Sequence, residues 1–241
     1  MALPPAGTSS MTRSVLVVAA HADDEALGCG GTIARHVEAG DHVEVVFVAE
    51  GVSSRPGGGE GDLAGRLQAT ERAKQILGIS KTRFLGLPDN RLDSVPLLDL
   101  VQSLEAIIAE LKPSIVYTHH VGDLNVDHRV THQAVMTACR PLPSATVREI
   151  LAFEVLSSTE WGGGSWPPFI PNYFVDVSST LSIKLRALEA YSMEMREPPH
   201  SRSIVHVAGL AQHRGHCVGV DAAEAFQIIR VLSVESLSKW S

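Results

Sequence analysis

The sequence predicts an α/β fold, a Rossmann-like three-layer α/β/α sandwich with a mostly parallel sheet. Three observations predict it. Short apolar runs at 15–20, 43–49 and 115–118 have the length and composition of strands buried on both faces. Longer segments with helix-forming patterns follow these runs, so strand and helix alternate as in crossover units. The chain has 241 residues, 44% hydrophobic and 20% charged, with no internal repeat, which suits one domain (1–241) with a sizeable core.

Each element can be justified in turn. The strand at 15–20 leads into a helix over 26–39 that Gly40 ends. A second strand at 43–49 precedes a glycine-rich loop over 50–61, including Gly57-Gly58-Gly59, whose freedom suits a lid. A helix from about 63 to 77 follows and stops at Gly78. The third strand, 83–87, is turned by Pro88-Asp89-Asn90. Apolar residues at 97, 98, 100, 101, 104, 107, 108 and 111 keep helical spacing until Pro113. A strand at 114–118 and a helix over about 130–139 complete the regular part. The last third holds a strand at 149–155, an irregular loop over 161–168 with two tryptophans, helices at 181–195 and about 204–214, and an extended segment near 220–230.

Composition narrows the partners. The formal net charge is −7, and no basic run exceeds two residues, so a nucleic-acid backbone is not the expected partner. No run approaches the ~20 apolar residues that span a bilayer. Residues 1–13 read as a flexible extension, neither secretory signal nor anchor. Cys29, Cys139 and Cys217 are odd in number and contain no CxxC, which argues against a disulfide framework and for a reduced, cytoplasmic protein. A homo-oligomer is compatible with these properties.

The chemistry gathers at two strand ends. His21-Ala22-Asp23-Asp24-Glu25 follows the first strand directly, at the edge where open α/β sheets collect ligands. Imidazole with carboxylate suits a zinc-type ion and leaves one carboxylate over as a base. The strand at 115–118 ends in a second cluster, His119 to Arg129, and a parallel sheet brings both ends to one edge. The bland reading of Asp23-Asp24-Glu25 is helix capping, worth ~0.3–1 kcal/mol for an acid near a helix N-terminus. Gly28-Cys29-Gly30-Gly31 would suit a nucleotide-binding turn, but GxGxxG is lacking and the acids ahead of it repel phosphate. These glycines read instead as positions of close helix packing.

The two clusters resemble the AHPDDE and HxxDxNxDHR signatures of the LmbE-like or PIG-L-like N-acetylglucosamine de-N-acetylases. Pro199-His200-Ser201-Arg202-Ser203, Arg214-Gly215 and Ala223-Glu224-Ala225-Phe226 are similar to a PHPRS, RG and AEAF pattern of a bacterial subgroup, so the resemblance runs from about 14 to about 230. It implies a metal-dependent hydrolase that removes the N-acetyl group from an N-acetylglucosamine-type sugar or sugar conjugate. It also implies one Zn2+ per chain, with Fe2+ or Co2+ as alternatives, held by His21, Asp24 and His128. Asp23 would be the general base on the attacking water; the proton for the leaving amine would come from Asp23 itself, His120, His200 or His216, with Asp23 favoured and a histidine of the C-terminal region second. Asn125 stands where several relatives carry a histidine and would serve as oxyanion donor. Arg66, His120, Asp123, Asp127 and His200 are the expected substrate contacts, with Asp127 also suited to orienting another group in the site. Ala22 replaces the usual proline, which removes a φ restraint but no functional group. The competing readings are an amidase of another amide, such as a thiol-sugar conjugate, and a non-catalytic nucleotide- or sugar-binding module.

Overall fold

The computed structural model describes residues 12–53 and 60–233, so most of the expected extension (1–11) and the centre of the expected lid (54–59) lie outside the described residues. Five strands run parallel: β1 (Ser14–Ala19), β2 (His42–Ala49), β3 (Lys81–Leu87), β4 (Ile115–His119) and β5 (Glu149–Phe153). Two more extend the sheet antiparallel to their neighbours, β7 (Ala223–Val231) beside β5 and β6 (Tyr173–Asp176) at the edge. The order is β3-β2-β1-β4-β5-β7-β6. The chain therefore steps outward to one side of β1 and returns to the other side through β4. This reversal of strand order makes a crevice above the ends of β1 and β4, where such sheets bind ligands.

Alternation along β1 shows the three layers. Val15, Val17 and Ala19 pack with residues of α1 (Asp24–Glu38), α2 (Glu60–Leu77), α5 (Leu181–Ala190) and α6 (Ile204–His216) on one face. Leu16 and Val18 pack with α3 (Leu97–Leu111) and α4 (Val126–Ala138) on the other. A strand buried on both sides reads as a continuous apolar run, which is why 15–20 is so uniformly aliphatic. The glycines of α1 pack closely, as expected. A Cβ on Gly28 would lie 2.3 Å from the Phe153 ring, and one on Gly31 would lie 2.9 Å from Val177.

Some boundaries differ from the sequence reading, for physical reasons. α4 begins at Val126 rather than near 130, because the Asn125 side chain accepts the Asp127 N–H at 2.8 Å and caps the helix. Asp127 and His128 thus sit on a helix's first turn and not in a loop. α5 ends at Ala190 instead of running to 195, and turns follow in which Tyr191 is buried against Glu25. The edge strand β6 was not expected; four residues after a proline-rich loop are too short for an alternating pattern to register. No described helix is long and apolar enough to cross a membrane.

Candidate metal centre

The β1–α1 turn supplies His21, Asp23 and Asp24, and the first turn of α4 supplies His128. Ligand atoms of His21, Asp24 and His128 all lie within 4.8 Å of one another, and all three residues are buried. Asp24 Oδ2 accepts the backbone N–H of His21 at 2.8 Å and lies 3.3 Å from both His21 Nδ1 and His128 Nε2. Among the described residues, two buried atoms of the trio have no hydrogen-bond partner: Asp24 Oδ1 and His128 Nε2. An orphaned carboxylate oxygen beside an orphaned imidazole nitrogen, with a second imidazole in reach, is a donor set that fits a divalent ion.

A second trio, His21, Asp89 and Asp127, meets the same distance criterion. It fits an ion less well, because both Asp127 oxygens are already occupied. Oδ2 accepts the N–H of Asn90 at 2.7 Å and Oδ1 that of Leu92 at 3.0 Å, while His21 Nε2 lies 3.1 Å from Oδ2. Asp127 thereby orients the His21 ring. Asp123 does the same for His128, whose Nδ1 lies 3.1 Å away. Asp123 is fixed in turn by the hydroxyls of Ser158 and Thr159 and by the Asn125 N–H.

The charges follow from this crowding. Burial lowers the His128 pKa, but facing Asp24 and Asp123 more than reverses this and lifts it to about 9. His21 is raised likewise, because Asp127, Asp24 and Asp89 outweigh its burial. Burial works to raise Asp24, yet His128 and His119 hold it well below the usual carboxylate range. Asp23 differs: burial lifts its carboxyl to about 6, and Arg202 offsets only part of that lift. Its backbone is strained as well, at φ 141°.

A cleft of about 130 Å³ opens on this cluster. His21, Asp23, Arg66, Asn125 and Arg202 line it, with Asp89, Asn90, Glu194 and the backbone of Gly51, so among the described residues no apolar side chain lines it. Arg66 is nearly buried, donating to the Ala22 carbonyl at 3.1 Å and to Glu194 at 2.9 Å. Asn125 Nδ2 donates to Asn90 Oδ1 at 3.1 Å.

Of the residues expected from the sequence, His21, Asp23, Arg66 and Asn125 reach the cleft, and Asp24 and His128 lie directly behind it. Asp123, Asp127 and His120, expected as substrate contacts, do not line it. All three are buried and engaged within the protein, His120 through the Pro167 carbonyl at 2.9 Å. The neighbouring His119 faces the cluster instead, stacked on His128 at 3.9 Å with Nε2 3.5 Å from Asp24. Burial lowers its pKa, and Nε2 accepts the Ala20 N–H at 2.8 Å. His200 is likewise outside the cleft lining, edge-on to Trp161 at 5.9 Å with Nδ1 accepting the Arg202 N–H. Arg202, part of the PHPRS-like stretch, reaches the site as well. Its Nη1 donates to Asp23 Oδ2 at 2.9 Å.

The family described as PIG-L: GlcNAc-PI de-N-acetylase matches residues 16–139, which include both clusters. The chain belongs to the PIG-L family. The uncharacterized deacetylase YaiS of Escherichia coli (strain K12) is 32% identical over 190 residues, covering 76% of this chain and 93% of that protein. Diacetylchitobiose deacetylase of Thermococcus kodakarensis is 25% identical over 90% of this chain and 83% of its own length. Among solved structures, GalB, the 4-carboxy-2-hydroxymuconate hydratase of Pseudomonas putida KT2440, superposes with a TM-score of 0.72 at 22% identity, over 94% of this chain and all (100%) of its own. That likeness shows the fold.

Proposed function

We propose that this PIG-L family member is a zinc-dependent de-N-acetylase that releases acetate from an N-acetylglucosamine-type sugar or sugar conjugate. One observation carries the reading: a buried His21, Asp24 and His128 trio with two orphaned ligand atoms stands beside a further carboxylate, Asp23, that faces an all-polar cleft. A divalent ion at the trio would act as Lewis acid on water and on the acetamide carbonyl.

The protein's own groups supply the remaining parts. Asp23 takes the proton of the attacking water and returns it to the leaving amine, a shuttle suited to a carboxyl held near 6. Asn125 bonds Asn90 through one amide hydrogen, and its second hydrogen can meet a developing oxyanion at the rim of the cleft. Arg66 lines the same cleft, and the polar lining given by the described residues suits a hydroxylated substrate over an aliphatic one. The name of the Thermococcus relative makes N,N'-diacetylchitobiose a rational first substrate.

The test pairs elemental analysis with acetate release from N-acetylglucosamine and N,N'-diacetylchitobiose, with and without chelator. About one metal per chain and chelator-sensitive acetate release are expected. Asp23→Asn should keep the metal and lose at least ~100-fold in turnover, whereas His128→Ala should lose the metal. Near wild-type turnover in Asp23→Asn would remove the base assignment. Bound metal without acetate release would redirect the reading to another amide, such as a thiol-sugar conjugate.

A further inference from the structure

The turn carrying Asp23 holds a conformation that it would not adopt alone. Asp23 sits at φ 141° and ψ −24°, in a region L-residues rarely enter, at a cost that neighbouring structure must offset. Two contacts to residues 22–25, and a third made through Arg66 of α2, come from one short stretch, the connection between α5 and α6. Tyr191 donates its hydroxyl to Glu25 Oε1 at 2.7 Å, and Glu25 Oε2 accepts the strained Asp23 N–H at 3.0 Å. Glu194 binds Arg66 at 2.9 Å, and Arg66 donates to the Ala22 carbonyl at 3.1 Å. Arg202 reaches Asp23 Oδ2 at 2.9 Å, and its Nε is fixed on Ser157 Oγ at 2.6 Å.

These contacts act on different parts of one residue. The path from Tyr191 through Glu25 fixes the Asp23 backbone, and Arg202 fixes the direction of its carboxylate. Tyr191 and Glu25 are almost completely buried and do not line the cleft, so neither is placed to touch substrate. The bonds span 166 positions for Tyr191 to Glu25 and 179 for Arg202 to Asp23. The end of α5 supports the same view: the helix stops at Ala190, and the chain then turns to place Tyr191 against Glu25 and Glu194 against Arg66.

We propose that the α5–α6 connection is the positioning element of the site, in which Tyr191, acting through Glu25, and Arg202 hold Asp23 in its strained, inward-aimed geometry. As a statement about catalysis, this rests on the reading of Asp23 as the base. The geometric part stands independently of it.

The test uses the full chain with three variants, Tyr191→Phe, Arg202→Met and Arg202→Lys. Crystal structures of the first two should show Asp23 out of the positive-φ region in Tyr191→Phe and its carboxylate turned away in Arg202→Met. With N,N'-diacetylchitobiose, kcat should fall about ten-fold in Tyr191→Phe and further in Arg202→Met, with KM and metal content unchanged. Arg202→Lys should recover part of the loss. A merely structural role would lower metal content and thermal stability together and would show no rescue by lysine. The proposal is overturned if Asp23 is unmoved in both crystal structures, or if kcat is unchanged in both variants while Asp23→Asn is inactive. An active Asp23→Asn would instead remove the base assignment, and the crystal structures would still decide what holds the turn.

Discussion

At the scale of single residues, the site is a set of metal-type donors each steadied by a partner. Asp123 and Asp127 do not line the cleft, yet each fixes one imidazole of the trio. Losing such a support typically costs 10–100-fold in metal affinity. Asp123→Ala should therefore weaken metal binding by about that factor, read by competition against a chelating dye. An unchanged affinity would mean that the trio is held by packing alone. The donors were legible in the sequence because they cluster within a few positions at two strand ends. Their supporting roles were less so. In the pair His119-His120, strand alternation sends one ring to each side, and the sequence reading selected His120 as a contact where the structure turns His119 toward Asp24. Arg202 was visible only within a short family pattern and its bond to Asp23 was not, and Tyr191 was not singled out, because the turns that bring them to the site follow no local pattern.

At the scale of elements, α1 shows how the site is anchored. Its backbone is non-helical at Cys29, which leaves groups on either side of the break in need of partners. Glu224 accepts the N–H groups of Gly31 and Thr32 at 3.0 and 2.7 Å, and Lys184 donates to the Leu27 carbonyl and to Glu224. This buried pair mends the break in the helix whose first residue is Asp24. Removing one partner of a buried ion pair typically costs about 3–5 kcal/mol, because the other charge is left alone. Glu224→Ala should destabilise by about that much in urea denaturation, and Glu224→Gln by less, since its amide oxygen still accepts a bond. Equal, small losses would show that water replaces the carboxylate. From the sequence, Glu224 was visible only as part of a short family pattern. The amphipathic α3, by contrast, was placed within a residue at its start, since its apolar spacing runs uninterrupted to Leu111.

At the scale of the whole molecule, the trio straddles the point where strand order reverses. His21 and Asp24 belong to the β1–α1 unit and His128 to the β4–α4 unit, so one ion would tie together the two halves of the sheet. The parallel half of this topology was readable from the βα alternation. The extended segment that forms β7 was readable too, but its antiparallel pairing and the edge strand β6 were not, because such pairing depends on contacts far apart in the chain. An ion that binds only the folded state stabilises by RT ln(1 + [L]/Kd), about 4 kcal/mol at a thousand-fold excess over Kd. For a chain of this size each kcal/mol moves Tm by roughly 2–4 °C. Stripping the metal with a chelator should therefore lower Tm by roughly 10 °C, and His128→Ala should show almost no further drop on chelation. The two results together separate an ion that bridges the halves from one bound elsewhere: a chelator effect of equal size in wild type and His128→Ala would place the ion outside the trio.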